Sequence, residues 1–200
     1  MERFYSENDR SERTVAFALC GSFCTFEAVL PVIEQLKQQG WRVLPVLSFN
    51  AAGQDTRFGT AEQWQQKLRA TTGCVPLQTL QSVEPFGPRR MADALVIAPC
   101  TGTTLAKLAL GLSNTPVTLA AKSLLRIGRP VVVALSTNDG LGASAQHIAA
   151  LLNRKSYYFV PFGQDDFLRK PQSLQAQFSL IPETLQLALQ GRQYQPVLLS

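Results

Sequence analysis

Two hundred residues, 46% hydrophobic and 16% charged, suffice for one good core, so a single domain over residues 14–200 is expected behind a flexible N-terminus, residues 1–13. The longest apolar runs, such as residues 130–135, fall well short of the roughly 20 residues a membrane helix needs, and the polar start MERFYSENDRSER has no secretory apolar core, which points to the cytosol. Nineteen Lys and Arg against 14 Asp and Glu give a modest +5 with no basic run, which argues against nucleic acid and leaves a small anion as the natural partner.

In chain order, TVAFALC (residues 14–20) is a buried strand and Gly21 to Thr25 its exit turn. Apolar residues at 26, 29, 30, 33 and 36 predict a helix over 26–39 closed by Gly40, with Pro31 implying a kink or a separate first turn. WRVLPVLS (41–48) is the second strand, and such a strand–helix–strand unit forces a parallel sheet. A polar loop over 49–59 leads to a helix over 60–72, capped by Thr60 with Glu62 or Gln63 and ended by Gly73. A short strand over 74–80 and a structured loop over 83–90 follow.

LVIA (95–98) reads as a central strand covered on both faces and stopped by Pro99. The turn from Cys100 to Thr104 is small and hydroxyl-rich; Thr101 or Thr103 caps the next helix, and Gly102 lets a ligand approach the backbone. A helix over 116–127, a strand over 130–135 with its polar exit Ser136 to Gly140, a helix over 143–152, a strand over 157–161, a polar loop over 162–171 and a helix over 182–190 complete the chain. The alternation predicts an α/β fold, a doubly wound parallel sheet in three layers.

The exits at 21–25, 99–104 and 136–140 then converge on one rim, where open sheets of this kind bind ligands. Free amides of the first helical turn, with the Ser22 and Thr25 hydroxyls, suit an anion. Neither G-x-G-x-x-G nor G-x-x-x-x-G-K-[ST] is present, so a phosphate here belongs to a mononucleotide-like ligand. Arg57, Lys107, Lys122, Arg126 and Lys170 are the basic candidates for an anion. Cys20, Cys24, Cys74 and Cys100 form no C-x-x-C pair, and with one histidine in the chain no metal site is expected.

GSFCTFEA (21–28), APCTGTTLAKLALGLSNTPVTLAAK (98–122) and RPVVVALSTND (129–139) resemble the homo-oligomeric flavin-containing cysteine decarboxylase superfamily. TRFGTAEQW, EPFGP, STNDGLG, YYFVPFGQDDF, RKPQS and QPVLL are similar to one branch of it, the B subunits of dipicolinate synthase from spore-forming bacteria. The resemblance implies a flavodoxin-like, Rossmann-type sheet and an FMN site. Gly21, Ser22 and Thr25 would sit at the flavin phosphate and Ser48 beside the ribityl chain or ring. Pro99, Thr101, Gly102 and Thr103, with Cys100 and Thr104, would stand for the P-A-S-A-N-T segment, and Ser136 and Asn138 would complete the rim.

Two departures matter. Thr103 replaces the motif's asparagine and lacks its paired amide donor and acceptor. The decarboxylases' histidine before the central strand has no counterpart in residues 85–90; the single His147 reads as a partly buried structural residue, so no catalytic acid or base is assigned and decarboxylation is not expected. The branch implies instead oxidation of a dihydro or hydroxy-tetrahydro precursor to pyridine-2,6-dicarboxylate, with NADP on a Rossmann-type A subunit, in the mother-cell cytoplasm during sporulation. Arg57, Lys107 and Lys170 are the candidates for the dicarboxylate, with Asn138 and Asp139 as polar lining. A trimer or dodecamer is implied. A non-catalytic assembly subunit with a vestigial flavin pocket and a flavin-dependent decarboxylase are the alternatives.

Overall fold

The computed structural model describes residues 12–199. Five parallel strands make the centre: β1 (Thr14–Leu19), β2 (Arg42–Leu47), β3 (Ala94–Cys100), β4 (Val131–Thr137) and β5 (Tyr157–Phe159), in the order β2-β1-β3-β4-β5. Every residue of β1 and β3 is buried, as unbroken apolar runs with no solvent face require.

Among the described residues, eight α-helices connect and flank the strands: α1 (Phe26–Gln38), α2 (Phe49–Gly53), α3 (Ala61–Thr72), α4 (Leu80–Val83), α5 (Gly102–Ala109), α6 (Pro116–Arg126), α7 (Ala145–Leu152) and α8 (Ile181–Leu189). One outer layer has α1 packed against α3 and α8; in the other, α5 packs against both α6 and α7. The result is the flavodoxin-like arrangement, with two additions. Short strands β6 (Phe162–Gly163) and β7 (Leu174–Ala176) run antiparallel, β7 pairing with the end of β4 through Ser136–Gln175 and Thr137–Leu174. The stretch expected to be only a polar exit loop therefore folds back onto the carboxyl edge of the sheet.

Other local departures have physical causes. Pro99 does not stop β3; the strand runs on to Cys100 through a register shift against β4 between Ile97 and Cys100, where a residue without an amide donor is tolerated. The Pro99 carbonyl accepts the Cys20 amide at 3.2 Å and keeps β3 attached to the end of β1. Helix α1 runs through Pro31, which lies on its exposed side, because Phe26, Val29, Val32, Ile33 and Leu36 bury the opposite face; a separate turn of 3-10 helix over Phe23–Thr25 precedes it. Residues 74–80 form no strand. Leu77 makes one parallel bridge to Val46, and Thr79 caps α4.

The expected loop at 49–59 starts with α2, whose cap is Ser48: its hydroxyl accepts the Ala51 amide at 3.2 Å. Of the two acidic or amide candidates near Thr60, Gln63 completes the capping box, and Gly73 ends α3 with a φ of 75°. Of the N-terminal segment, residues 1–11 lie outside the described residues. Arg13 is anchored, its guanidinium 4.1 Å from the Trp41 ring centre and bonded to Gln186 at 3.0 Å. Among the described residues no helix is long and apolar enough to cross a membrane.

Candidate functional site

The carboxyl ends of β1, β3 and β4 open on one cleft of about 680 Å³. The turn after β1 crosses to the exit of β4 through the Ser22 and Ser136 hydroxyls, 2.8 Å apart. Thr25 faces inward, its hydroxyl donating to the Ser22 carbonyl at 2.8 Å, so it shapes the turn without lining the cleft.

The turn after β3 is held from both sides. Thr101, not Thr103, is the N-cap of α5 and accepts the Thr104 amide. Thr104 is buried and donates to Cys20 Sγ at 3.2 Å, which ties the start of α5 to the end of β1. Gly102 is required for a reason the sequence did not reveal. A Cβ there would stand 2.5 Å from Ser144 Oγ, 2.8 Å from Asp139 Oδ1 and 2.9 Å from Thr137 Oγ1. The close approach that glycine allows is to the molecule's own Asp139 cluster.

That cluster is the third exit. Asp139 Oδ1 accepts hydrogen bonds from the Thr137 hydroxyl and, at 2.8 Å, from the Ser144 hydroxyl. The Thr137 bond holds the carboxyl below its ordinary pKa; partial burial opposes this, and Ser144 adds to the lowering. Asp139 is thus a fixed anion at the amino end of α5, a favourable place for negative charge.

Of the residues singled out from the sequence, Gly21, Ser22, Thr101, Gly102, Thr103, Ser136, Asn138, Asp139, Arg57 and Lys170 line this cleft. Thr25, Ser48, Pro99 and Lys107 do not. Ser48 is spent on capping α2, Pro99 is buried in β3, and Lys107 lies in the last turn of α5, away from its Thr101 end. The cleft also recruits Thr56, Phe58, Asp165, Ser173 and Gln175. Arg57 and Phe58 are lifted into it by a tight turn in which Thr56 and Gly59 exchange both backbone hydrogen bonds at 3.1 Å. Gly59 needs its φ of 130°, and a Cβ there would meet Trp64 Nε1 at 3.0 Å. Asp165, Ser173 and Gln175 arrive with the antiparallel β6–β7 addition, whose placement no local pattern announces.

The cleft therefore offers hydroxyls, two cations and an aromatic face. Arg57 lies over Phe58, its guanidinium 4.8 Å from the ring centre, and Lys170 Nζ stands 3.4 Å from Asp165 Oδ2. The buried thiols at the ends of β1 and β3 are not nucleophiles: burial pushes Cys20 up to about 11 and Cys100 well above its usual value. Cys24 is exposed on the lining. His147 lies in α7, partly buried, and does not line the cleft.

Known proteins are similar to this chain in sequence and in fold. The family model described as Flavoprotein matches residues 3–172. The chain is 42% identical over 188 residues to the dipicolinate synthase B subunit of Bacillus subtilis (strain 168), covering 94% of each chain. The crystal structure of the dipicolinate synthase B subunit from Bacillus halodurans C superposes with a TM-score of 0.86 at 42% identity, over 94% of this chain and 96% of that one. The FMN-dependent cysteine decarboxylase SpaF shares the fold at 22% identity, with a TM-score of 0.63 over 89% of this chain and 97% of its own.

Proposed function

The chain belongs to the Flavoprotein family, with the B subunits of dipicolinate synthase as relatives over nearly its whole length, and on that premise we propose that it is the B subunit of a dipicolinate synthase. In this reading it binds FMN and a pyridine-type dicarboxylate precursor in the cleft at the ends of β1, β3 and β4, and works in the cytoplasm of a sporulating cell. It acts with an A subunit that holds NADP, and it assembles with further copies of itself. The observation that carries the reading is the meeting of the three polar strand exits with Arg57, Phe58 and Lys170 around one cavity.

The residues present suit a flavin mononucleotide. The Ser22, Thr101 and Thr103 hydroxyls and the Asn138 amide can bond a phosphate, a ribityl chain or ring heteroatoms, while Phe23 and Phe58 offer apolar surface to a flat ring. When bound, the flavin supplies hydride and electron transfer. The protein's own part is orientation and charge. Arg57 is a planar donor fork suited to a carboxylate, Lys170 is a second cation, and Asp139 is a fixed acceptor. Forming an aromatic pyridine drives the oxidation, so a strong acid or base at the ring is not demanded. The missing decarboxylase histidine speaks against cysteine decarboxylation.

The experiment is to purify the chain and its NADP-binding partner and supply dihydrodipicolinate. NADPH and dipicolinate should form with both chains present and at a far lower rate with either alone. Full activity of the partner alone, undiminished when this chain is omitted, would leave only the assembly-subunit reading.

A further inference from the structure

The strap from Gln164 to Gln172, which joins β6 to β7, brings an acid and a base to the cleft together. Lys170 Nζ lies 3.4 Å from Asp165 Oδ2, and both residues line the cavity. The strap is braced at its base. Gln164 Nε2 donates to the Pro171 carbonyl at 2.8 Å, the Leu141 amide to the Gln172 carbonyl at 3.0 Å, and the Ser173 amide to the Lys170 carbonyl at 2.9 Å. The backbone on either side is thus fixed, while the Lys170 side chain is 54% exposed and can swing; the Asp165 side chain, 22% exposed, is the more confined partner.

Asp165 does not depend on Lys170 alone. Burial works against its ionised form, but the Ser173 hydroxyl and its own backbone amide, together with Lys170, hold the carboxyl below its ordinary value. Lys170 can leave without stranding a buried anion, which keeps the exchange inexpensive. Arg57, the other cation of the lining, has no carboxylate partner among the described residues and lies over Phe58. The lining holds two cations, Arg57 and Lys170, and two anions, Asp139 and Asp165, so its formal charge is zero. A single carboxylate finds Arg57 ready. A second finds Lys170 engaged.

We infer that Asp165 is a built-in competitor of the ligand's second carboxylate for Lys170. It holds Lys170 until a dianion arrives and yields it only to that dianion. A ligand with one carboxylate binds at Arg57 and leaves the Lys170–Asp165 pair closed. Discrimination between dianion and monoanion is then set by the difference between two partly solvated contacts to one ammonium group, not by the gain of a new one. This rests on the dicarboxylate reading of the cleft given above.

The test compares the affinities of pyridine-2,6-dicarboxylate and pyridine-2-carboxylate for the full chain, by calorimetry at one fixed ionic strength, in the wild type, Asp165→Asn and Lys170→Gln. Asp165→Asn should raise the preference for the dicarboxylate by about two- to fivefold, the size of one exposed ion pair. Lys170→Gln should lower that preference below the wild-type ratio. If Lys170→Gln lowers it but Asp165→Asn leaves it unchanged or lowers it too, Lys170 meets the ligand without competition and the inference is overturned. If Lys170→Gln keeps the wild-type ratio, or the wild type binds neither compound, the dicarboxylate reading fails and takes this inference with it.

Discussion

Ser22 and Ser136 stand 114 residues apart in the chain and 2.8 Å apart through their hydroxyl oxygens, joining the exit of β1 to the exit of β4 across the intervening strand β3. Ser136 is 7% exposed, so its hydroxyl relies on this partner. Ser22→Ala should cost about 1 kcal/mol of stability, the usual penalty for leaving a buried hydroxyl short of a bond, read from urea unfolding. An unchanged midpoint would mean that water replaces Ser22 freely.

Gly102 makes a sharper case. With Ser144, Asp139 and Thr137 all under 3 Å from any Cβ, Gly102→Ala forces the whole cluster to move and should destabilise by about 1–3 kcal/mol. Gly53, at the end of α2, has nothing within 4 Å of a Cβ and no positive φ; Gly53→Ala should be neutral or slightly stabilising. Thermal melts of the two variants side by side decide this. Equal melting temperatures would deny the Asp139 cluster its rigidity.

Asp139 gives a pH signature with a definite sign. Its carboxyl is held below the value of about 3.9 that an unfolded aspartate shows, so the unfolded chain binds the proton more readily. The stability it confers is complete above that value and is lost as pH falls through the lower, folded pKa. Wild type should therefore exceed Asp139→Asn in stability at pH 7, and the gap should narrow below about pH 4. A gap constant from pH 7 to pH 3 would show that the hydroxyls of Thr137 and Ser144 do not favour the ionised form.

Three of the cysteines should separate by exposure. Cys24 is exposed on the cleft wall, while Cys20 and Cys100 are buried, with Cys20 at about 11. Iodoacetamide at neutral pH should alkylate Cys24 in the native protein, and Cys20 and Cys100 only after unfolding. Peptide mapping before and after denaturation reads the difference. Native labelling of Cys20 would mean that the end of β1 opens to solvent.

What could be read from the sequence followed from local physics. The runs TVAFALC, LVIA and PVVVAL contain no polar face, so they had to be central strands, and a βαβ unit made the sheet parallel. Parallelism alone then put Ser22, Thr101 and Asn138 on one rim. Caps were legible for the same reason: Thr60 and Gly73 act within a few residues of themselves, while the choice between Thr101 and Thr103 was left to the structure. What escaped was decided by distant partners. Strand β7 is three residues long and exists because Ser136 and Thr137 offer it an edge, so Asp165, Ser173 and Gln175 reached the cleft unannounced. Pro99 and Pro31 mislead as breakers, since a bulge rescues one and a buried helix face outweighs the other. Lys107 shows the opposite error. Its positive charge made it a candidate for an anion, and its place in the last turn of α5 carries it away from the Thr101 end.

A flavin titration of the purified chain, followed by quenching of FMN fluorescence, tests the cleft most directly. Wild type should bind FMN with saturable quenching at one equivalent per chain, and Thr101→Ala and Ser22→Ala should each weaken binding by several-fold. FMN fluorescence that stays unquenched at excess protein, in a chain that is folded by its melt, would contradict the claim that the exits of β1, β3 and β4 form one flavin cleft.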